Sequence, residues 1–192
     1  MNQTTCEYSP NSYILRDGVT VPLDNLHDLG HCLLHVQEEH GEHTDLVVFK
    51  LDISQAYHHL PISFWWQLYQ IVHIGSSWHV DCNNNFSGHA VGKLWATFMG
   101  VVLWIAIYVL SISDLLTYVD DSFSWDFADN LLYSAPYGKT YPMKQTHLLK
   151  LWDKLGIPHK EHKQVFGSPL TIIGFDIDPN PHDHDLAPQT VL

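Results

Sequence analysis

The chain has 192 residues, of which 45% are apolar and 12% aromatic, so it can bury a sizeable core and does not belong to the disordered class. Nine Lys and Arg residues face twenty-one Asp and Glu residues, and the formal net charge of −12 argues against a protein that grips a phosphate backbone by electrostatics alone. Three scattered cysteines without a Cys-x-x-Cys pair, and a polar start without a signal peptide, predict an intracellular protein, cytoplasmic or nuclear, rather than a secreted one.

The N-terminal half of the sequence predicts one helix, one buried strand and one strand pair. The central strand reads Leu-Val-Val-Phe-Lys-Leu-Asp-Ile, which is β-branched and aromatic, and apolar on both faces until the aspartate. The predicted elements, in chain order, are an irregular segment over 1–21, a helix over 22–39 that Gly41 ends, a strand over 46–53, and strands over 64–74 and 78–82 joined by a turn.

The C-terminal half predicts two helices, a tight hairpin and a last strand. In chain order these are a long apolar helix that begins near His89, short strands over 115–119 and 122–125 with only Asp120 and Asp121 between them, a helix over 142–155 with Pro142 at its start and Gly156 after its end, and a strand over 170–178. This order predicts an α+β domain in which helices pack on one face of a mainly antiparallel sheet.

One apolar run has the length of a membrane span. Residues 94–112 carry no charge, and a run of this length can cross a bilayer. Lys93 precedes the run, Asp114 follows it, and no Lys/Arg cluster marks a cytoplasmic side, so a buried helix is favoured and no membrane partner is expected. A small membrane protein anchored by residues 94–112 stays open as an alternative.

Three carboxylates stand at the ends of predicted strands. Asp52 ends an otherwise apolar strand, and Asp120 and Asp121 form the tip of the hydrophobic hairpin. Such buried charges are costly unless something compensates them, and neighbouring carboxylates repel each other unless a cation lies between them. An ordinary turn explains Asp120 and Asp121 by themselves. Together with Asp52, however, the set could hold two divalent ions about 3.5–4 Å apart, an arrangement that supports in-line phosphoryl transfer.

The residues around these aspartates resemble motifs of reverse transcriptases. Residues 49–57, Phe-Lys-Leu-Asp-Ile-Ser-Gln-Ala-Tyr, are similar to the first metal-binding motif of that family, and residues 118–121, Tyr-Val-Asp-Asp, are similar to its Tyr-x-Asp-Asp box. Three weaker matches also fit the family order. They are Phe-Ser-Gly over 86–88, between the two aspartate motifs, and after them an amphipathic helix with Gly156 and then Lys163, and Ile-Ile-Gly-Phe over 172–175 at the primer grip. The residues of these motifs suggest the retrotransposon-type branch of the reverse transcriptases.

The resemblance implies a role for each matched residue. Asp52 and Asp120 would be the principal ligands of two Mg²⁺ (or Mn²⁺) ions, with Asp121 supporting them. Tyr57 would be the steric gate that selects deoxynucleotides, although without the resemblance an ordinary core residue is the favoured interpretation. The other matched positions are Gln55, Ala56 and Gly88 at the nucleotide, and Lys163 at the pyrophosphate with Lys160 as its rival.

The resemblance also implies a domain organisation and an activity. It implies a ferredoxin-like polymerase palm over 46–178, with a remnant of the fingers over 1–45 and a flexible tail over 179–192. The activity would be template-directed DNA synthesis on a primer–template with deoxynucleoside triphosphates, by a fragment of a mobile-element polymerase. Arg16 and Lys50 are the only Lys or Arg residues before Asp52, so the basic residues expected of fingers are few. An inactive or domesticated palm remnant that acts as an interaction module is therefore the alternative, and the oligomeric state stays open.

The fifteen histidines need a separate explanation. His27, His31 and His35 recur every fourth residue and would share one helical face, where imidazoles can bind a metal together. No carboxylate completes a known ligand set, so zinc is the less favoured interpretation of this spacing. His182 and His184 lie in the tail, where a solvated segment is favoured over metal binding.

Overall fold

The computed structural model describes residues 9–15, 18–85 and 88–180. The helices are α1 (Leu26–His40), α2 (Phe64–Gln67), α3 (Val91–Trp104), which continues as a π-helical turn over Ile105–Val109, and α4 (Met143–Leu155). The strands are β1 (Leu46–Asp52), β2 (Ile71–Ile74), β3 (Ser77–Val80), β4 (Leu116–Tyr118), β5 (Asp121–Phe127), β6 (Leu131–Ser134), β7 (Lys139–Pro142), β8 (Val165–Gly167), β9 (Leu170–Ile172) and β10 (Phe175–Ile177).

A four-stranded antiparallel sheet forms the centre of the fold, in the order β4-β5-β1-β8. Two-stranded antiparallel hairpins are formed by β2–β3, by β6–β7 and by β9–β10. Strand β1 occupies an inner position because its apolar side chains point to both faces, and Val48, Phe49 and Leu51 are completely buried. The predicted α+β class with a mainly antiparallel sheet is confirmed.

Each face of β1 packs against different helices. Phe49 and Leu51 belong to a core with α3 and α4, which includes the fully buried Trp152. Leu46 and Val48 belong to a second core with α1, and side chains alternate along a strand, so this core lies on the opposite face. The sequence predicted helices on one face only. Helices α3 and α4 pack on one face of the sheet, and α1 packs on the opposite face.

Helix α1 begins four residues later than predicted, because residues before it pair with the edge of the sheet. The Asp24 amide donates to the Thr117 carbonyl oxygen at 3.2 Å, and the Thr117 amide donates to Asp24 Oδ2 at 2.8 Å. Asn25 then caps the helix, since its side chain accepts from the His27 amide while Asp28 accepts from the Asn25 amide. Pairing with β4 therefore overrides the helical periodicity of the preceding residues.

Helix α4 has the bounds predicted from the residues at its two ends. It runs from Met143 to Leu155, with Pro142 at the N-cap position. Gly156 follows it in the left-handed conformation, with φ of 69°, which a glycine adopts without the cost that a side chain adds. This prediction is confirmed, since the residues at both ends of the helix mark its bounds in the sequence.

The predicted strand pair over 64–74 and 78–82 is correct only in its second part. Strands β2 and β3 form the expected hairpin. Residues Phe64–Gln67 form the short helix α2 instead of a strand, since the amides of Trp66 and Gln67 both donate to the Ser63 carbonyl oxygen. An aromatic run of this length favours strand by composition, and these local bonds decide otherwise.

The single strand predicted over 170–178 is wrong, because the chain reverses in its middle. Ile173 and Gly174 have φ of 49° and 81°, and two successive positive φ values form a tight turn between β9 and β10. The hairpin β6–β7 and the edge strand β8 were also not predicted from the sequence. Strand β8 has only three residues and is held by pairing with β1, so its own sequence carries too little periodicity to reveal it.

Helix α3 is buried on one side only. Its inner side chains, which include Trp95 and Met99, belong to the core, whereas Leu94, Val101 and Trp104 are more than half exposed. The stretch Val91–Val109 is long and apolar enough to cross a membrane, and 28% of its most apolar part is buried inside the protein. The core helix of a soluble protein passes the same test. The favoured interpretation of a buried helix therefore holds for its inner face and is wrong for its outer face.

Candidate functional site

The three aspartates predicted as metal ligands lie at one end of the central sheet. Asp52 is the last residue of β1 and is the backbone partner of Asp121, the first residue of β5. Asp120 occupies the turn between β4 and β5, and its carbonyl oxygen accepts from the Ile53 amide at 3.4 Å. The antiparallel register thus brings together carboxylates that are far apart in the sequence.

Two of these carboxylates stand in surroundings that disfavour their charge. Burial is the main cause that raises the pKa of Asp120, and the negative charge of Asp52 raises it further. Burial also raises the pKa of Asp121, against the opposing effect of Lys50, whose Nζ lies 3.9 Å from Asp121 Oδ2. The site therefore carries negative charge that a further cation would stabilise.

Lys163 lies at the same site and holds Asp52. Its Nζ donates to both carboxylate oxygens of Asp52, at 2.8 Å and 3.0 Å, and this bond raises the pKa of Lys163. It ends the short 3-10 turn Glu161–Lys163 that follows α4. Of the two lysines considered for this position, Lys163 meets the aspartates, whereas Lys160 contributes its carbonyl oxygen to Gln164.

Gln164 positions Asp52, and sequence reasoning missed it. Its side chain is buried, its Oε1 accepts from the Asp52 amide at 3.2 Å, and its Nε2 donates to the Asp52 carbonyl oxygen at 3.0 Å. These two bonds hold the backbone at the end of β1 as a neighbouring strand would. The sequence around Gln164 does not indicate that it bonds the Asp52 backbone, because Asp52 lies 112 residues earlier.

Among the described residues, the side chains are not arranged as a complete metal-binding set. Across the parts of the chain that the structure describes, no group of three or more His, Cys, Asp or Glu side chains is placed to hold a metal ion. At the aspartates, Lys163 and Lys50 supply the nearby positive charge. Along α1, the rings of His27 and His31 lie 6.5 Å apart between centroids, and the zinc alternative gains no support from the described residues.

Tyr57, the predicted gate, lies beside the aspartates. Its half-buried ring packs edge-on against Trp95, with 6.1 Å between the ring centroids. Burial raises the pKa of the Tyr57 hydroxyl, and the negative charge of Asp120 raises it further. A cavity of about 410 Å³ adjoins the ring, and Lys93 and Val119 also line it. Tyr57 thus stands between the core and a space that is open next to the Asp120 turn.

The other predicted nucleotide-binding positions are more scattered. Gln55 has a left-handed φ of 55° and precedes a short 3-10 turn whose first residue, Ala56, is buried in the core. Gly88 lies at a separate cavity of about 300 Å³ between α2 and the start of α3. Residues 86 and 87, which complete its motif, fall outside the described residues. Of this set, Tyr57 is the residue that an interaction given above connects with the aspartates, namely the electrostatic effect of Asp120 on its hydroxyl.

No protein-family model matches the chain, and no curated protein matches it. A solved structure of foamy viral protease-reverse transcriptase in complex with an RNA/DNA hybrid matches 90% of this chain and 20% of its own, with a TM-score of 0.59 at 15% identity. Two further structures from foamy virus, in complex with double-stranded DNA, match 89% and 86% of this chain, with TM-scores of 0.53 and 0.52 at 18% identity. The fold is reverse-transcriptase-like.

The likeness is one of fold, and it is partial in length. The chain spans 26%, 20% and 31% of the three foamy viral chains, so most of each of those proteins has no counterpart in it. All three foamy viral proteins are bound to nucleic acid. The part that matches extends over almost the whole chain.

In this reverse-transcriptase-like fold a groove of about 700 Å³ lies between α1 and the β9–β10 hairpin. His31 and Leu34 of α1 line one side of it, and Phe175 of β10 lines the other. Tyr118, which also lines the groove, is the backbone partner of Asp121. The hairpin that resembles the primer grip therefore lines the same groove as Tyr118, the strand neighbour of Asp121, although its strand was predicted with the wrong length.

Proposed function

We propose that the chain is the palm portion of a reverse transcriptase, a fragment of a mobile-element polymerase, and that it performs template-directed DNA synthesis by two-metal nucleotidyl transfer. One observation carries the proposal, namely the backbone pairing of Asp52 with Asp121 at the end of the sheet, with Asp120 in the adjoining turn. This pairing unites two sequence motifs that lie far apart, in a fold that is reverse-transcriptase-like.

The donor set suits Mg²⁺ or Mn²⁺, because three carboxylates offer the hard oxygen ligands that these ions prefer. We assign Asp52 and Asp120 as the principal ligands and Asp121 as their support. When bound, the ions would activate a primer 3′-hydroxyl and neutralise charge on the incoming triphosphate. The raised pKa values of Asp120 and Asp121 agree with this assignment, since both carboxylates lack full compensation of their charge.

Two other side chains would act on the nucleotide. The ring of Tyr57 would lie where a ribose 2′-hydroxyl would go, and so select deoxynucleotides. Lys163 Nζ would leave Asp52 and neutralise or protonate the pyrophosphate oxygen as it departs. The primer–template would follow the groove beside Tyr118 and Phe175, where aromatic faces stack on bases without the need for many basic residues.

The test is primer extension by the purified chain. An RNA template with an annealed DNA primer is incubated with deoxynucleoside triphosphates and either Mg²⁺ or Mn²⁺, and the products are resolved by length. We expect extension that depends on the divalent cation, stops when the cation is chelated, and is weak at high salt because few basic residues hold the backbone. Failure to extend under either cation at low salt would contradict the proposal.

The lysine contacts favour a second candidate, a palm remnant without activity that acts as an interaction module. Lys163 holds both oxygens of Asp52, and Lys50 lies near Asp121, so cations of the chain itself stand beside the ligands. This candidate predicts no primer extension with either Mg²⁺ or Mn²⁺, even where residual metal binding is retained. Calorimetric titration of the metal, with and without a deoxynucleoside triphosphate, separates a preserved metal site from one in which the lysines have replaced the metal, because Mg²⁺ is commonly held by carboxylates together with substrate phosphates.

Replacing Lys163 with Gln is expected to tighten the binding of Mn²⁺ about fivefold, because the metal no longer displaces an ammonium group from Asp52. A partly exposed ion pair contributes about 1 kcal/mol, which corresponds to this factor. Isothermal calorimetry measures the change directly. Lys160→Gln is the matched control, since it removes a lysine from the same segment without touching Asp52, and its affinity should equal that of the wild type. An unchanged Kd in Lys163→Gln would show that the ion pair does not compete with metal.

A further inference from the structure

Trp95 touches both Tyr57 and the turn that carries Asp120. It lies on the inner face of α3 and is only 2% exposed. Its ring meets Tyr57 edge-on, with 6.1 Å between centroids, and its Nε1–H donates to the Val119 carbonyl oxygen at 2.8 Å. That carbonyl belongs to the peptide that joins Val119 to Asp120. One rigid indole therefore connects the predicted gate with the backbone of a predicted metal ligand.

The turn that Trp95 holds is strained. Val119 has φ of 59°, in the left-handed region, where a β-branched residue is an outlier. Strained backbone of this kind persists only where the surrounding structure holds it in place. The turn has no glycine that would adopt the conformation freely. The indole hydrogen bond supplies such a restraint, and it acts on the residue directly before Asp120.

The space around these contacts is open on one side. The cavity of about 410 Å³ is lined by Tyr57, Trp95 and Val119 together. Tyr57, Trp95 and Val119 thus border open space on this side. The indole of Trp95 is a rigid group that contacts both Tyr57 and Val119 at the edge of this space.

We propose that Trp95 is a positioning residue that sets the distance between the Tyr57 ring and the Asp120 carboxylate, and thereby the selection of deoxyribose over ribose. The inference rests on the proposed function, in which Tyr57 excludes the 2′-hydroxyl and Asp120 helps to hold the triphosphate. A shift of about 1 Å in such a geometry changes a rate strongly. A single indole that fixes both partners therefore determines how sharply the gate discriminates.

Two variants of Trp95 separate its two contacts. Trp95→Phe keeps an aromatic ring for Tyr57 and removes the N–H donor, whereas Trp95→Leu removes both. Trp104→Phe is the matched control, because Trp104 lies on the exposed side of the same helix. Amide hydrogen exchange over residues 116–122 reports on the turn without any need for activity, and the ratio of kcat/KM for deoxynucleotides and ribonucleotides reports on selection. Exchange in α4 reports on global stability.

We expect Trp95→Phe to speed exchange in the turn about tenfold without a change in α4, since one hydrogen bond is lost. Trp95→Leu should also lower the deoxynucleotide preference about tenfold, and Trp104→Phe should change neither quantity. Unchanged exchange in Trp95→Phe would overturn the positioning role, whatever the activity. If Trp95→Leu exchanges faster in the turn but keeps the wild-type preference for deoxynucleotides, Trp95 does not control the selection of deoxyribose. Absence of primer extension by the wild-type chain would refute the proposed function and the role of Trp95 in sugar selection. Hydrogen exchange would still decide whether Trp95 holds the turn.

Discussion

Asp120→Asn is expected to lower the rate of primer extension about a thousandfold, the size of effect seen when a charged or dipolar group that stabilises a transition state is removed. Asparagine keeps the shape of the side chain but gives up the charge that a divalent cation requires. Because Asp120 lies in the turn that adjoins the Asp52–Asp121 pair, the change reaches the proposed metal site directly. Single-turnover extension under saturating nucleotide measures it.

The same variant should fold at least as well as the wild type. Burial and the charge of Asp52 raise the pKa of Asp120 in the folded chain. A carboxyl with a higher pKa in the folded than in the unfolded state favours the fold at low pH, and this contribution is lost as the pH rises through the raised pKa. Asp120→Asn removes that unfavourable charge, so its unfolding temperature at pH 7 should equal or exceed that of the wild type.

Loss of activity together with retained stability is therefore the signature of a ligand. Asp129→Asn provides the matched control, since Asp129 is an exposed aspartate just beyond β5, and it should leave both quantities unchanged. Extension by Asp120→Asn at the wild-type rate would refute the role assigned to Asp120. Loss of activity with a lower unfolding temperature would point to a structural defect instead.

The elements predicted correctly from the sequence are those that carry their own local signals. Strand β1 is an unbroken apolar run, α4 is marked by Pro142 and Gly156, and the β4–β5 hairpin is marked by two adjacent aspartates. These signals placed the three carboxylates on elements that the sheet then joins. The α+β class followed from the order of the elements alone, because strands that alternate irregularly with helices seldom build a parallel sheet.

The elements that were missed depend on distant partners. Strand β8 exists through its pairing with β1, and α1 starts late because Asp24 pairs with Thr117. At the site, Gln164 and Lys163 reach Asp52 across more than a hundred residues, as the sequence separations of 112 and 111 show. No periodicity or spacing in a single sequence encodes such contacts. They arise only when the short turn after α4 is brought against the end of β1.

The second large effect concerns Asp126, a buried carboxylate at the far end of the strand that begins with Asp121. Asp126 is 0% exposed. Its Oδ1 accepts from the Phe127 amide and from Asn130 Nδ2, both at 2.9 Å, and its Oδ2 accepts from the Lys144 amide at 2.9 Å. The last of these bonds satisfies a free amide in the first turn of α4, where negative charge is also favoured by the helix dipole. Asp126 therefore joins β5, the turn after it and α4.

Asp126→Ala is expected to lower the free energy of unfolding by about 3 kcal/mol, because three partly buried donors lose a fully buried, charged acceptor at once. Asp126→Asn should cost less, about 2 kcal/mol, since it keeps one acceptor oxygen but turns an amide toward one of the donors. Urea denaturation followed by circular dichroism measures both, with exposed Asp129→Ala as the control that should change stability by less than about 0.5 kcal/mol. A loss below about 1 kcal/mol in Asp126→Ala would mean that water replaces the carboxylate, and that α4 does not depend on β5 for its start.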